Sequence, residues 1–221
     1  MAESIATLLK KTEGTEIVRV SAGDTIYKAG TPNNKVYYIK SGRVAGTSTF
    51  SDGKQYLLRY FEEQSFILEG AAICDKQPKW DYKAVEDCEL IAFSEKTLDK
   101  ILDENPVIAK AIVKGLANKY MRCESLVYII QTHTLLWRLC SLLLNIVDQY
   151  GRKNEDGTID LDRSINQTTF AAFLGVNRVS VVNTFRVLQK KGLVSCSRNG
   201  NWHVRIHDLK ALAAFQKSLE G

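Results

Sequence analysis

The sequence predicts an α+β chain in which an N-terminal antiparallel β-barrel or sandwich is joined by a long helix to a smaller C-terminal helical domain. Three observations predict it: glycine-punctuated β-rich runs at the start, a middle segment free of proline and glycine, and two short helical patterns near the end. The chain has 221 residues, of which 45% are hydrophobic and 25% charged. This composition is typical of a folded globular protein and excludes disordered and fibrous classes.

The N-terminal region is predicted to form a series of short strands. Seven of the 14 glycines fall in the first 70 residues, where they separate runs rich in β-branched and aromatic side chains. Such runs, bounded by turn signals, predict antiparallel strands. Ser41-Gly42 and Asp52-Gly53 are the clearest predicted turns, because Asp-Gly tolerates positive φ. The predicted strands are 16–20, 25–28, 35–39, 43–50, 55–61, 81–85 and 89–94.

A long helix is predicted in the middle of the chain. Asn105 suits a helix N-cap and Pro106 the first helical position, where a missing N–H has no cost. No proline follows Pro106, and no glycine lies between Ala117 and Tyr150, so we expect one helix over 106–147. Its apolar stripe predicts a coiled-coil seam between two copies of the chain, with packing on the barrel as the alternative. The candidate dimer-interface residues are Leu126, Ile129, Ile130, His133, Leu136 and Trp137.

Positive charge is concentrated in the last third of the chain. Residues 146–221 hold 11 basic and 7 acidic side chains, and residues 164–207 hold no Asp or Glu. This acid-free stretch is typical of a surface that binds a polyanion; a solvated charged face is the alternative interpretation. Its cations are Arg178, Arg186, Lys190, Lys191, Arg198 and Arg205.

Two short helices joined by a glycine turn are predicted inside this stretch. Residues 166–175 begin with polar side chains, continue through an apolar segment and end at Gly175, which suits a helix C-cap. A turn over 175–177 precedes a second predicted helix over 178–191. This is the helix-turn-helix pattern, whose second helix enters the major groove of DNA.

A β-hairpin wing is predicted after the second helix. Two alternating strands are joined at Asn199-Gly200, with Arg198 at the tip. Arginine can donate two hydrogen bonds to guanine, while Ser, Asn and helix N-terminal amides suit phosphates. We therefore predict double-stranded DNA as the partner. The candidate DNA-binding residues are Asn166, Gln167, Thr168, Asn177, Arg178, Val179, Ser180, Asn183, Arg186 and Arg198.

Three segments carry a resemblance to a known family. They are Gly23-Asp24-Thr25-Ile26-Tyr27-Lys28-Ala29-Gly30, Val36-Tyr37-Tyr38-Ile39-Lys40-Ser41-Gly42 and Gly175-Val176-Asn177-Arg178-Val179-Ser180-Val181. With the order of barrel, long helix and winged helix-turn-helix, the chain resembles the Crp/Fnr superfamily of bacterial transcription regulators over nearly its whole length. The resemblance implies a jelly-roll barrel of the cyclic-nucleotide-binding type over 1–105, a dimerisation helix over 106–147 and a winged helix-turn-helix domain over 148–221.

The resemblance also implies a homodimer on a near-palindromic operator, with its recognition helices in major grooves about 10 bp apart, and RNA polymerase as a further partner. Family members often carry Glu, Thr and a second Arg after the recognition Arg, where this chain has Val179, Ser180 and Asn183. Valine cannot accept a hydrogen bond from cytosine N4 but can pack on a thymine methyl. We therefore expect a T/A-rich, TTA-like half-site.

The barrel departs from cyclic-AMP-binding relatives, in which a Gly-Glu pair and an Arg-Ser pair hold the nucleotide. The matching segments here are Leu68-Glu69 and Pro78-Lys79, so the rigid arginine fork for phosphate is missing. Instead of cyclic AMP, we expect a small aromatic or organic anion, as in the halorespiration regulators of this superfamily, which sense chlorinated phenols and likewise have Val after the recognition turn. The candidate effector-binding residues are Glu69, Lys79, Trp80, Tyr82, Lys83, Tyr120, Cys123, Glu124 and Tyr128.

No cofactor or metal is expected. The five cysteines contain no C-x-x-C pair and the first is Cys74, which excludes an iron–sulfur cluster. Haem is a weaker alternative, for which Cys74 and His133 are the candidate ligands. The absence of a long apolar run and of a leader predicts a cytoplasmic protein.

Other function classes remain as alternatives. An enzyme is not expected, because the three histidines are poorly placed for a catalytic site. A constitutive DNA-binding repressor without a ligand is the stronger competitor. In the effector-responsive interpretation, the effector shifts the population between two arrangements of the DNA-binding domains, with a hinge expected at Arg138, Leu139 and the segment after the long helix.

Overall fold

A computed structural model describes residues 3–49, 55–131, 133–197 and 202–220. The chain divides into two compact units, Met1–Tyr120 and Met121–Gly221. Within the described residues, no helix is both long enough and apolar enough to cross a membrane.

Two four-stranded antiparallel sheets form the first unit. Its strands are β1 (Thr15–Val20), β2 (Thr25–Tyr27), β3 (Lys35–Ser41), β4 (Val44–Thr49), β5 (Gln55–Phe61), β6 (Phe66–Ile67), β7 (Asp81–Ala84) and β8 (Cys88–Ser94). One sheet has the order β1-β8-β3-β6 and the other β2-β7-β4-β5. The predicted strands are confirmed to within two residues at each end, and the predicted barrel is a jelly-roll sandwich. The predicted Asp52-Gly53 turn lies outside the described residues.

The core of the first unit has two layers because β8 is buried on both faces. On one side Leu90 belongs to a cluster between the two sheets, which also contains Tyr27, Phe61 and Tyr82. On the other side Ile91 and Phe93 belong to a cluster with apolar side chains from helices. The sandwich is therefore covered by helices on one face.

Four helices accompany this sandwich, three of which the sequence analysis did not predict. These are α1 (Ile5–Lys11), α2 (Glu69–Ile73) and α3 (Glu95–Glu104), and the fourth is α4 (Pro106–Gln131). The predicted cap of α4 is confirmed, because the Asn105 side chain accepts a hydrogen bond from the Ile108 amide at 3.1 Å. Ile108 and Ile112 of α4 are fully buried in the first unit.

The single helix predicted over 106–147 is wrong, since α4 ends at Gln131 and a separate helix, α5 (Leu135–Tyr150), follows. His133 has a left-handed backbone with φ 59°, and Thr134 caps α5 by accepting a hydrogen bond from the Trp137 amide. A left-handed residue cannot continue a right-handed helix. Neither proline nor glycine marks this break, so the breaker signals used on the sequence could not find it.

The second unit combines four helices after the break with one small sheet. Strands β9 (Gly151–Lys153) and β10 (Ile159–Leu161) pair as an antiparallel hairpin. Then follow α6 (Gln167–Leu174), α7 (Arg178–Lys190), β11 (Val194–Ser197), β12 (His203–Ile206) and α8 (Leu209–Lys217). The sheet order is β11-β12-β10-β9, so the paired strands β11 and β12 belong to a wing that is joined to the two strands β10 and β9. Helix α8 was not predicted.

Candidate nucleic-acid interface

Local signals set the ends of the two short helices. The Asn166 side chain accepts hydrogen bonds from the Thr168 and Thr169 amides at 2.9 and 3.1 Å, which caps α6. Gly175 ends it in a left-handed conformation with φ 63°, and the Val176 amide bonds back to the Ala171 carbonyl at 3.1 Å. This closure is the Schellman type of helix ending, which favours glycine. The turn therefore directs α7 away from α6 as the sequence predicted.

Helix α7 has one buried face and one exposed face. Val181, Phe185 and Leu188 are buried. The opposite face presents Arg178, Val179, Asn183 and Arg186, all exposed, with Val179 at 69%. Asn177 caps the helix by accepting a hydrogen bond from the Ser180 amide at 2.8 Å. An exposed apolar side chain beside exposed arginines, at the N-terminal end of a capped helix, suits a base-reading surface.

Three aromatic rings hold the wing against the helical pair. Phe170 of α6 lies edge to face against Phe185 of α7, with ring centroids 5.0 Å apart. Trp202, just before β12, lies 5.7 Å from Phe170 and 5.0 Å from Phe185. Edge-to-face aromatic pairs add about 0.5–1.5 kcal/mol beyond their burial. The cluster therefore joins both helices and the wing into one body.

A charged contact fixes the base of the wing. Arg205 of β12 donates hydrogen bonds to both carboxylate oxygens of Asp160 in β10, at 2.6 and 3.0 Å. His203 Nε2 lies 3.1 Å from the same carboxylate. These contacts hold the pKa of Asp160 well below its usual range, with the Arg205 hydrogen bond as the main cause. Arg205 is thus committed to an acid on β10, which the acid-free count of residues 164–207 did not reveal.

Arg138 connects α5 to the helix-turn-helix. Its guanidinium donates a hydrogen bond to the carbonyl oxygen of Leu174, the last residue of α6. A cation at this position also suits the negative end of the helix dipole. Arg138 and the fully buried Leu139 lie inside α5. The two residues named for the predicted hinge therefore do not coincide with the helical break, which lies between α4 and α5.

The predicted DNA-binding residues fall into different structural positions. Asn166 and Asn177 are helix caps, and Thr168 is half-buried in the first turn of α6. The prediction for the Gln167 side chain is wrong, because it is only 9% exposed and offers little surface to a ligand. Arg198 lies outside the described residues. The exposed candidates on α7 form one continuous patch.

The interior of the first unit contains a charged pair that sequence reasoning missed. Lys119 of α4 donates hydrogen bonds to the Glu69 carboxylate and, at 2.8 Å, to the Phe66 carbonyl. Its nitrogen also lies 5.3 Å from the centre of the Phe61 ring. Glu69 is 1% exposed. Burial lowers the pKa of Lys119, and the Glu69 charge opposes that shift.

The residue before Glu69 fills the same interior. Leu68 is 3% exposed and adopts φ 68°, a left-handed conformation that costs a non-glycine residue about 1–2 kcal/mol. Its side chain packs in the cluster between the sheets, and this burial offsets the strain. The side chain therefore occupies space that a close approach of backbone to a phosphate would need.

The predicted effector residues do not form one pocket in the first unit. Tyr82 is buried between the sheets against Phe61, and burial is the main cause that raises its pKa. Lys79 and Lys83 instead line a cavity that Tyr82 does not line, because side chains alternate between the faces of β7. Trp80 and Tyr120 are largely exposed. Among the described residues, the structure therefore does not bring these candidates together around one cavity of the first unit.

The remaining effector candidates belong to the second unit. Glu124 and Tyr128 line a cavity of about 650 Å³ with side chains from α5 and α8, including Trp137 and Gln216. Cys123 is exposed on α4. This cavity is open and mainly apolar, and Trp137 closes one side by donating a hydrogen bond to Glu220 at 3.2 Å.

The residues predicted for a seam with a second copy differ in how far they are exposed. Ile129 and Trp137 are 5% and 3% exposed within their own chain, so they offer little surface to a second copy. Leu126 and Leu136 are half-buried, and His133 stacks on Trp137 with ring centroids 4.3 Å apart. The large apolar side chains that α4 leaves more than one-third exposed are Val107, Val113, Tyr120, Met121, Val127, Tyr128 and Ile130.

Among the described residues, no group of three or more His, Cys, Asp or Glu side chains is arranged to hold a metal ion. The two candidate haem ligands lie in different units: Cys74 ends α2 and His133 lies between α4 and α5.

Comparison with protein families identifies the class. Residues 17–105 match the cyclic nucleotide-binding domain, and residues 137–215 match the Crp-like helix-turn-helix domain. A sandwich of the cyclic-nucleotide-binding type followed by a Crp-like helix-turn-helix is the domain order of a DNA-binding transcription regulator. The chain belongs to the Crp/Fnr family of transcription regulators.

Individual relatives agree with this assignment. The chain is 24% identical to an anaerobic regulatory protein of Bacillus subtilis over 177 residues, which cover 79% of this chain and 74% of that protein. The relatives are transcription regulators and not enzymes.

Solved structures share the fold. A CooA mutant from Carboxydothermus hydrogenoformans superposes with a TM-score of 0.72 at 22% identity, covering 97% of this chain and 92% of that one. CprK in complex with OCPA superposes with a TM-score of 0.68 at 19% identity, covering 96% and 94%.

Proposed function

We propose that this protein is an effector-responsive, sequence-specific transcription regulator that acts in the cytoplasm as a homodimer on a palindromic operator. The exposed face of α7 carries this proposal. Arg178 and Arg186 flank Val179 on a surface that Val181 and Phe185 hold in place from behind. Arginine supplies both phosphate contacts and base readout, while the adjacent apolar side chain supplies discrimination.

The expected half-site is T/A-rich. Val179 is 69% exposed and offers two methyl groups but no hydrogen-bond acceptor, which suits a thymine methyl better than a cytosine amino group. Val in this position also supports a place near the halorespiration branch of the family. Arg178, one residue earlier, is the candidate for guanine or phosphate at the edge of that half-site.

Selection of bound duplexes from a random pool tests the proposal. The wild-type protein is expected to return a palindrome with T/A-rich halves, and Arg178→Ala is expected to lower affinity for it by about 5- to 150-fold. Arg19→Ala, an exposed arginine on β1 of the first unit, is the matched control and is expected to bind normally. A G/C-rich consensus, or unchanged sequence preference in Arg178→Ala, would contradict the proposal.

The exposed apolar side chains of α4 support the homodimer. Val113, Tyr120 and Val127 are each more than half exposed and recur every seven residues, which is the heptad spacing of a coiled coil. In a two-fold dimer, the same stripe of α4 in a second copy of the chain would pack against this one, because a two-fold interface uses the same surface on both copies. Two such copies would present two α7 helices to adjacent major grooves.

The effector proposed is a small aromatic or organic anion rather than cyclic AMP. In the barrel interior the Glu69 carboxylate accepts a hydrogen bond from Lys119, and Leu68 fills the adjoining space. The Glu69 carboxylate is therefore already engaged by a cation of the chain itself, and the space beside it is filled. Cyclic AMP is expected to leave operator affinity unchanged in a fluorescence-anisotropy titration, whereas the true effector changes it by about 5- to 150-fold.

A constitutive DNA-binding repressor is the second candidate. The Lys119–Glu69 pair favours this candidate. The pair already joins the sandwich to α4, a contact that a bound effector would otherwise have to make. The titration separates the two candidates, since a constitutive protein binds its operator with one affinity at every concentration of a panel of aromatic carboxylates and phenolates.

A further inference from the structure

Arg138 of α5 contacts the helix-turn-helix next to its turn. The guanidinium donates a hydrogen bond to the carbonyl oxygen of Leu174, which belongs to the last turn of α6, where carbonyls lack a partner within the helix. Gly175 follows directly with φ 63°, and Asn177, two residues later, caps α7. Arg138 is therefore bonded to the chain immediately before the turn that sets the direction of α7.

Apolar packing surrounds this contact. Helix α5 packs against both α6 and α7. Leu139, Leu142 and Leu143 of α5 are fully buried, as are Phe170 and Leu174 of α6. Burial of apolar surface is non-directional, so it holds the helices together without specifying their relative orientation closely. A hydrogen bond between one donor and one acceptor depends on distance and angle, so the bond from Arg138 adds this orientation.

Arg138 is expected to contribute little to the stability of the second unit. Its Nε atom is buried and has no hydrogen-bond partner among the described residues. The cost of a buried donor without an acceptor is of the same order as the gain from a hydrogen bond of a charged group, so the two effects largely cancel. An apolar side chain of similar length would pack here at no such cost. Stability therefore does not account for an arginine at this position.

The aromatic cluster transmits the position of α6 to α7. Phe170, Phe185 and Trp202 are in mutual edge-to-face contact, which joins α6, α7 and the wing. A displacement at the end of α6 therefore also displaces Arg178 and Val179, which α7 exposes at its N-terminal end. Binding side chains have to be held to within about 0.5 Å of their productive geometry, so a small displacement is enough to weaken base contacts.

We propose that Arg138 is a positioning residue for DNA recognition. Through its bond to the Leu174 carbonyl it fixes the orientation of α7, and so determines how well the exposed side chains of α7 match the edges of the bases. It acts through α6, and no contact of its own with DNA is required. The inference goes beyond the proposed function, which assigns specificity to α7 alone, and it rests on the sequence-specific binding proposed there.

Fluorescence anisotropy with the full-length protein at constant ionic strength tests the proposal. Two duplexes of equal length are compared, the operator selected by the wild type and a scrambled sequence. Arg138→Met keeps the length of the side chain but removes its donors, and is expected to lower the ratio of operator affinity to scrambled-duplex affinity by about 3- to 30-fold. Affinity for the scrambled duplex should stay unchanged, because non-specific binding depends on phosphate contacts. Partial unfolding would lower both affinities equally and leave their ratio unchanged.

Substitution of each base pair in the half-site separates positioning from direct contact. A displaced α7 should lose discrimination at several adjacent base pairs together, whereas the loss of one direct contact affects one base pair. Arg138→Lys retains the charge and is expected to give a ratio between those of the wild type and Arg138→Met. Lys217→Met removes an exposed cation of α8 in the same unit and, as the control, should keep the wild-type ratio.

Four results would overturn the proposal. The first is a wild-type ratio in Arg138→Met together with a lower midpoint of urea unfolding, because Arg138 would then act only on stability. The second is a wild-type ratio in both Arg138 variants with unchanged stability. The third is a loss of discrimination confined to one base pair, and the fourth is an equal loss in Lys217→Met. A wild-type protein that binds both duplexes equally would contradict the proposed function as well, which distinguishes that failure from these four.

Discussion

The Lys119 ammonium and the Glu69 carboxylate form a hydrogen-bonded ion pair that joins α4 to the first turn of α2. The acid is 1% exposed, and the lysine nitrogen also donates to the Phe66 carbonyl. A buried charge is tolerated when it has both an opposite charge and hydrogen-bond partners. The pair therefore links strand, short helix and long helix at one point.

Removing Lys119 is expected to destabilise the first unit strongly. Lys119→Met leaves Glu69 buried without its cation, and breaking such a pair costs about 3–5 kcal/mol. The double variant Lys119→Met with Glu69→Leu is expected to regain most of that loss, because no unpaired charge remains. Denaturant unfolding measures both free energies.

A lysine elsewhere on the same helix tests whether the loss comes from the pair. Lys114→Met, an exposed lysine of the same helix, is the control and should change stability by less than about 0.5 kcal/mol. An equal loss in both variants would show that the pair contributes nothing.

The base preference of α7 is expected to depend on Val179. Val179→Glu introduces an acceptor for cytosine N4 and removes the methyl groups that suit thymine. The selected half-site should move from T/A towards C/G at one position, with a discrimination of about 1–3 kcal/mol. Because the side chain is 69% exposed, folding should be unaffected. Val187→Glu, at a 40% exposed position on the same helix, should leave the consensus sequence unchanged. If both variants changed the consensus in the same way, the change could not be assigned to a direct contact of residue 179.

The Asp160–Arg205 contact predicts a pH-dependent stability of the second unit. Arg205 holds the pKa of Asp160 below its unfolded value of about 3.9. A depressed pKa in the folded state gives stability that is complete above the unfolded pKa and is lost as pH falls towards the folded one. Asp160→Asn should therefore lower the free energy of unfolding by about 1 kcal/mol between roughly pH 5 and 8, because the pair is partly exposed.

The difference between Asp160→Asn and wild type should shrink below about pH 4. Thermal unfolding at a series of pH values measures it. Asp148→Asn changes an exposed acid on α5 of the same unit and serves as the control. A difference that stays constant down to pH 2 would indicate that the Asp160 charge is not the cause.

The oligomeric state is expected to depend on the exposed heptad positions of α4. Val127→Glu places a charge in the apolar stripe and should convert the dimer to a monomer of 24.8 kDa, because a buried unpaired charge in a seam is strongly unfavourable. Val107→Glu alters a valine that is 54% exposed on the same helix but off the seven-residue spacing. Light scattering should find Val107→Glu dimeric. A dimeric Val127→Glu would place the interface elsewhere.

The sequence predictions were correct where a single residue determines the local backbone conformation. Asn105 and Asn166 cap their helices, and Gly175 takes the left-handed conformation that ends α6. Strand positions followed from alternation and from the glycines between them. The helix-turn-helix, which gives the protein its class, is composed almost entirely of such signals, so its elements could be predicted from sequence to within a residue or two.

Contacts between distant residues were decided by the tertiary structure. Lys119 and Glu69 are 50 residues apart, and Arg205 and Asp160 are 45 apart, so no spacing rule brings them together. The break before α5 carries neither proline nor glycine, and the burial of Ile129 and Trp137 depends on what packs over them. Sequence alone determined the class of protein and the two helices of the helix-turn-helix, because caps, turns and periodicity act within a few residues. Which charges are neutralised, and which side of β7 faces a cavity, depended on the folded chain, because electrostatic pairing and burial are set by neighbours in space.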